Sequence, residues 1–225
     1  MTQQSPLTEL DAINEILAAV GQAPVTSVDT TDDLYKKVGN TYTPISIPTN
    51  PDVAMAKQAL LETSRKIQSE GWCFNRELDF DMTPNSANEI TIPNTMLQCD
   101  ASRDGVDNRM AYGGMDTVRR DGKLYDKIGH TFKFDSVVPC DILWYFEWED
   151  VPRPIQDLII KETAAIFSMR IVGDPNLYQV LKMQASECRA YALEYETQQG
   201  DYTFFGHPAG SDYYNSYQPF HALYR

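Results

Sequence analysis

Residues 65–82 read RKIQSEGWCFNRELDFDM, and the fold turns on them. Behind them, Val53, Ala56, Leu60, Thr63 and Ile67 recur at helical spacing. Gly71 stops that helix. From Trp72 onward the period becomes two. Trp72, Phe74, Leu78, Phe80 and Met82 alternate, with Arg76 interrupting the same face. A switch of period within a few residues predicts helix giving way directly to sheet.

On the C-terminal side, short strand candidates follow at 89–92, 95–99, 118–120, 123–126, 131–134 and 142–148. Asp121-Gly122 is a two-residue hairpin signal. Residues 100–117, rich in Gly, Asn and Asp, are expected to be an exposed loop. The run Ile142 to Trp148 is apolar on both faces, so it is expected to be buried on both sides or to meet another subunit. Residues 72–149 therefore read as a β-rich insertion.

Helices flank this insertion on both sides. Residues 8–20 carry Leu10, Ile13, Leu17 and Val20 on one face, with Thr8 as N-cap and Asp11 completing a weak capping box. Gly21 and Pro24 end that helix. Residues 26–50 read as a long connection, because Pro44 and Pro48 oppose regular structure. Asn50-Pro51 opens the second helix. After Pro154, Ile155, Leu158, Ile159, Ile166 and Met169 mark a third helix, ended by Gly173. Asp174-Pro175 starts a fourth, with Leu177, Val180, Leu181, Cys188, Tyr191 and Tyr195 as its stripe. The short link between these two implies an antiparallel pair.

The expected fold class is α+β: a four-helix bundle with a β-rich domain inserted between helices 2 and 3. The bundle takes 1–71 and 150–199, and the insertion takes 72–149. Residues 200–225 form an extended C-terminal arm. The arm holds eight aromatics in twenty-six residues: Tyr202, Phe204, Phe205, Tyr213, Tyr214, Tyr217, Phe220 and Tyr224. No helical period links them, and a segment this short cannot build its own core. Aromatics dominate interface hot spots, so these eight are the candidate partner interface. Packing back onto their own subunit is the alternative.

The formal charge is −13. That disfavours sequence-specific nucleic-acid binding. It suits plain solubility, and it equally suits the wall of a channel that must let DNA slide. Cys73, Cys99, Cys140 and Cys188 are widely spaced with no CxxC pair, which reads as reduced thiols in a cytosol-type compartment. His130, His207 and His221 are scattered, so no metal site and no cofactor is expected. The longest apolar runs are far too short to cross a bilayer. The N-terminus lacks the basic and apolar regions of a secretory signal.

No catalytic motif is present: no GxSxG, no HExxH, no GxxxxGK[ST]. Gly113-Gly114 is a turn signal, and Cys73 with His130 would be paired only by assumption. Two carboxylate pairs, Asp79 with Asp81 and Glu147 with Glu149, lie two residues apart on expected strand faces. A glycosidase uses carboxylates in pairs. With 32 acidic residues, such pairs also arise by chance. A polysaccharide hydrolase is thus the enzymatic alternative, and a generic helical interaction module a third reading.

Several stretches together resemble one family. Glu9 to Val25 (ELDAINEILAAVGQAPV), Arg65 to Asn75 (RKIQSEGWCFN), Ala164 to Phe167 with Arg170 and Gly173-Asp-Pro175, and Glu187 to Glu196 followed by Gly200-Asp-Tyr202 resemble the tail tubular protein A family. These are the adaptor (gatekeeper) proteins of short-tailed bacteriophages. The resemblance spans residue 9 to about 205 and does not reach the loops at 30–50 and 100–117 or the tail beyond 205. It implies a structural virion protein in a twelve-subunit ring. The ring would join the portal protein of the head to the six-subunit tail nozzle, and DNA would pass through it during ejection. It further implies a place in the virion tail, assembly in the host bacterial cytoplasm, no membrane insertion and no enzymatic role. The bundle and arm are expected to face the portal, and the β insertion the nozzle.

Overall fold

The computed structural model describes residues 7–26, 51–101 and 115–199, together with the backbone of 35–38 and 41–44. Among the described residues the chain is mixed α and β, with four helices and small antiparallel sheets. In chain order these are α1 (Glu9–Ala19), β1 (Tyr35–Val38), β2 (Thr41–Pro44), α2 (Pro51–Gln68), β3 (Arg76–Met82) and β4 (Met96–Ala101). They continue with β5 (Thr117–Arg120), β6 (Lys123–Asp126), β7 (Val138–Trp144), α3 (Arg153–Ile171) and α4 (Pro175–Gln199). The chain divides into two compact units. Unit 1 runs through Ile67 and again from Glu147 to Tyr195. Among the described residues, unit 2 takes Gln68–Phe146 and the last residues of α4 from Glu196.

Unit 1 is built on α3. Ile155, Leu158, Ile159, Ile160, Ala164, Ala165 and Phe167 are all buried, so this helix is covered nearly all round. A helix buried along most of its length belongs at the centre of its core. Helix α1 brings Ala12, Ile13, Ile16 and Leu17, and α2 brings Val53, Ala56, Leu60, Thr63 and Ile67, all buried. Salt bridges tie the helices: Lys161 to Glu15, Lys57 to Glu9, Arg170 to Glu62 and Lys182 to Glu162. These pairs are largely exposed and contribute orientation more than stability.

The capping box at α1 is present. Asp11 N–H donates to Thr8 Oγ1 at 3.2 Å, and Thr8 N–H donates to Asp11 Oδ2 at 3.1 Å. The hydrogen bonds from Thr8 hold the Asp11 carboxyl below its ordinary pKa. A lowered pKa means that the contribution is present above the ordinary carboxylate value and is lost as pH falls through the folded one. Thr8→Ala is expected to cost about 1 kcal/mol. A denaturant titration at neutral pH checks the loss, and its repetition in acid should show a smaller difference.

The connection 26–50 departs from expectation. It contains an antiparallel hairpin, with Val38 paired to Thr41 and Tyr35 to Pro44. The signal was Gly39-Asn40 between two runs of aromatic and β-branched residues, a hairpin dipeptide that two nearby prolines overshadowed.

Unit 2 centres on a three-stranded sheet ordered β3-β7-β4, all antiparallel. Val138, Cys140 and Ile142 of the middle strand β7 face the core. Met82, Ile90, Ile92, Met96, Cys99, Leu124 and Phe134 pack there with them, and Trp144 borders the cluster. The Asp121-Gly122 hairpin forms as the dipeptide predicts. Arg120 pairs with Lys123, and φ is +49° at Asp121 and +70° at Gly122. Both central residues with positive φ are the requirement of the turn that matches strand twist.

Other strand expectations change. The segments at 89–92 and 131–134 make only isolated bridges, Glu89 to Lys133, Thr91 to Lys123 and Asp126 to Thr131. Strand β7 starts earlier than expected and ends at Trp144. Residues 148–150 form a single 3-10 turn instead of strand. The aromatic run is therefore split between a strand end and a turn. Strand β3 begins only at Arg76, because 73–75 form a turn with Asn75 N–H donating to Trp72 O. A β-bulge between Glu77 and Phe80 then breaks the alternation. Asp79 sits there at φ +53°. Leu78, expected inside, is 54% exposed, and Phe80 beyond the bulge is exposed too.

Candidate assembly surfaces

The eight aromatics of the expected interface, Tyr202, Phe204, Phe205, Tyr213, Tyr214, Tyr217, Phe220 and Tyr224, lie outside the described residues. What the structure does reveal is a second apolar surface, on α4. Of the expected stripe only Leu181 is buried, with Leu177, Cys188 and Tyr195 half-buried. The helix is instead seated through small residues, Ala185 and Ala192, in line with Leu181. Val180 and Tyr191 point outward, at 54% and 68% exposure. Met183, at 67%, joins them. Steps of three and eleven residues return to one side of a helix, so Val180, Met183 and Tyr191 share a face. Sequence reading missed this face because α4 carries apolar residues on two sides. The alanines gave the weaker signal, yet they mark the side that packs closest.

The carboxylate pairs do not hold the geometry expected of them. Asp79 lies in the bulge with left-handed backbone, and its N–H donates to Asp141 Oδ1 at 3.2 Å. Asp81 lies beyond the bulge, so the two do not repeat on one regular strand face. Glu147 precedes the 3-10 turn and Glu149 lies within it, off any strand. All four side chains are exposed. Among the described residues no three His, Cys, Asp or Glu side chains gather where they could hold a metal ion. Cys73 lacks the environment of a nucleophile. Burial and the neighbouring Glu196 carboxylate push its thiol up to about 12. Both Glu196 carboxylate oxygens accept from Cys73 N–H, at 2.9 Å.

One polar cluster in unit 2 went unread in the sequence. Asn75 is buried. Its Nδ2 donates to Gln68 O at 2.8 Å and to Trp144 O at 2.9 Å, and its Oδ1 accepts from Trp72 N–H at 2.9 Å. Gln68, also buried, pairs with the backbone of Phe146 through both side-chain atoms, at 3.1 and 2.8 Å. The strands that enter and leave unit 2 are thereby clasped side by side. Gly71 makes the turn between the two residues at φ +81°. A Cβ there would stand 3.2 Å from Leu143 Cδ2.

The described part of the chain is mixed α/β and carries exposed apolar side chains on one face of α4. The family model for tail tubular proteins matches residues 10–202, and the chain belongs to that family. Tail tubular protein A of Klebsiella phage KP34 is 27% identical over 188 residues, covering 83% of this chain and 86% of that protein. Membership makes this chain a structural component of a phage tail.

Proposed function

We propose that this protein is a ring-forming adaptor that joins the portal of the head to the tail nozzle and forms part of the DNA ejection channel. The observation that carries the reading is the exposed face of α4, Val180, Met183 and Tyr191, on a chain of the tail tubular family. A ring needs each subunit to cover apolar surface on the next. Twelve copies are expected from the family resemblance. In this reading the helices of 1–71 and 150–199 act as a bundle, the β domain 72–149 is inserted in it, and the arm 200–225 reaches the portal through its aromatics. The β domain meets the nozzle. The net charge of −13 suits a wall past which DNA slides without sequence-specific binding. The role is non-catalytic, with assembly in the host bacterial cytoplasm and no membrane insertion. The hydrolase alternative loses support because the bulge and the 3-10 turn take both carboxylate pairs off regular strand faces.

Two changes test this reading. Met183→Asp combined with Tyr191→Asp places two charges on the outward face of α4. Subunit association is expected to weaken by about 30-fold or more, as for hot-spot loss, with far-UV circular dichroism unchanged. Native mass spectrometry with and without purified portal reads the oligomer. Undiminished association would overturn the role of α4. A chain ending at Gln199 should keep the ring contact and lose portal docking. Docking equal to the full chain would refute the arm's role.

A further inference from the structure

We infer that Cys99 and Cys140 form a dithiol that closes to a disulfide when the protein meets a low-molecular-weight disulfide, stapling β4 to β7 across the core of unit 2. The register places them. Cys99 pairs with Ile142 and Ala101 with Cys140, so the two cysteines are diagonal neighbours on one face of the sheet. Both belong to the buried core cluster, and their thiols share a hydrogen bond. Ala101, opposite Cys140, carries only a methyl group.

The two thiols are not equivalent. Cys140 is wholly buried in the central strand, and Cys99 lies on an outer strand with 7% exposure. The hydrogen bond between them lowers the Cys99 pKa, and it raises that of Cys140 together with burial and the nearby Asp100 and Asp141. Cys99, the more accessible of the two and placed on the outer strand, is the attacking sulfur, reached when that strand opens locally. Its thiolate attacks one sulfur of the small disulfide, forms a mixed disulfide and releases one thiolate. Cys140 then gives up its proton, attacks the Cys99 sulfur and releases the second small thiol. Two protein thiols lose two electrons, the small disulfide gains them, and the two protons end on the leaving thiols.

A tail component leaves a reducing cytosol for an oxidising exterior. A bond formed on that passage would harden unit 2 after assembly. The inference rests on family membership only for this purpose, since the chemistry is a property of the folded chain.

The experiment exposes the full-length protein to oxidised glutathione, removes it, and counts thiols in denaturant. The four thiols are expected to fall to two. Peptide mapping should locate the bond at Cys99–Cys140. Cys73→Ser and Cys188→Ser should each still lose two thiols, whereas Cys99→Ser and Cys140→Ser should form no intrachain bond. The oxidised wild-type chain, which needs no substitution to fold, should melt at higher temperature than the reduced one. Four surviving thiols, a glutathione adduct without ring closure, or a bond mapped to another pair would each overturn the inference. A correct bond with a lowered melting temperature would overturn the hardening.

Discussion

Phe167→Ala in α3 is expected to cost about 3–5 kcal/mol, the range for removing a buried aromatic ring. Phe167 is fully buried on the helix that the core of unit 1 surrounds. Its neighbours on α3 are themselves fixed by burial. Ser168 Oγ donates to Ala165 O at 2.8 Å, and Thr163 Oγ1 donates to Ile159 O at 2.6 Å. These internal bonds satisfy the hydroxyls within the apolar core. The loss is large against a typical total stability of about 5–15 kcal/mol. Denaturant unfolding followed by far-UV circular dichroism measures it. Phe167→Leu keeps most of the volume and should cost less than about 1.5 kcal/mol. If the alanine variant lost under about 1 kcal/mol, α3 would not be the centre of unit 1.

The second large effect is in unit 2, where Asn75→Ala is expected to cost about 3 kcal/mol. The side chain supplies three hydrogen bonds, two buried and one part-buried. Its removal leaves Trp72 N–H, Gln68 O and Trp144 O without those partners, at about 1–3 kcal/mol for a buried group left unsatisfied. The sum is held down by water that enters the space. Asn75→Asp keeps the acceptor for Trp72 N–H and turns the donors into a carboxylate facing two carbonyl oxygens. That carboxyl should titrate above its ordinary value. A raised folded pKa means that stability is present in acid and is lost as pH rises through it. The aspartate variant should therefore be less impaired at acidic than at neutral pH. Tryptophan fluorescence reads the transition, because Trp72 and Trp144 both contact the site. An alanine variant as stable as the parent would show that the two ends of unit 2 are held by packing alone.

Much of this architecture was legible in the sequence, and the reasons differ by element. Helices α1 and α2 followed from apolar spacing, because one face of each is buried and the other is not. The Asp121-Gly122 turn followed from backbone chemistry confined to two residues. The inner side of α4 did not follow. Val180 and Tyr191 are the more apolar residues, yet Ala185 and Ala192 face inward, because close packing selects small side chains. The bulge in β3 was equally hidden. Nothing in RELDFDM marks the extra residue, which is defined only by its pairing with β7. The aromatic arm, the candidate interface drawn from composition, lies outside the described residues. The apolar face of α4 emerged only from the structure.

By itself the sequence determined where helix and sheet period run, where one hairpin turns, and the family resemblance that the family match bears out. These depend on neighbours within a few residues. The tertiary structure alone decided which apolar side chains stay outside, how Asn75 and Gln68 clasp partners up to 78 residues away, and that Cys99 and Cys140 meet. Those outcomes are set by competition among distant segments for the same buried space, and no local pattern encodes the winner.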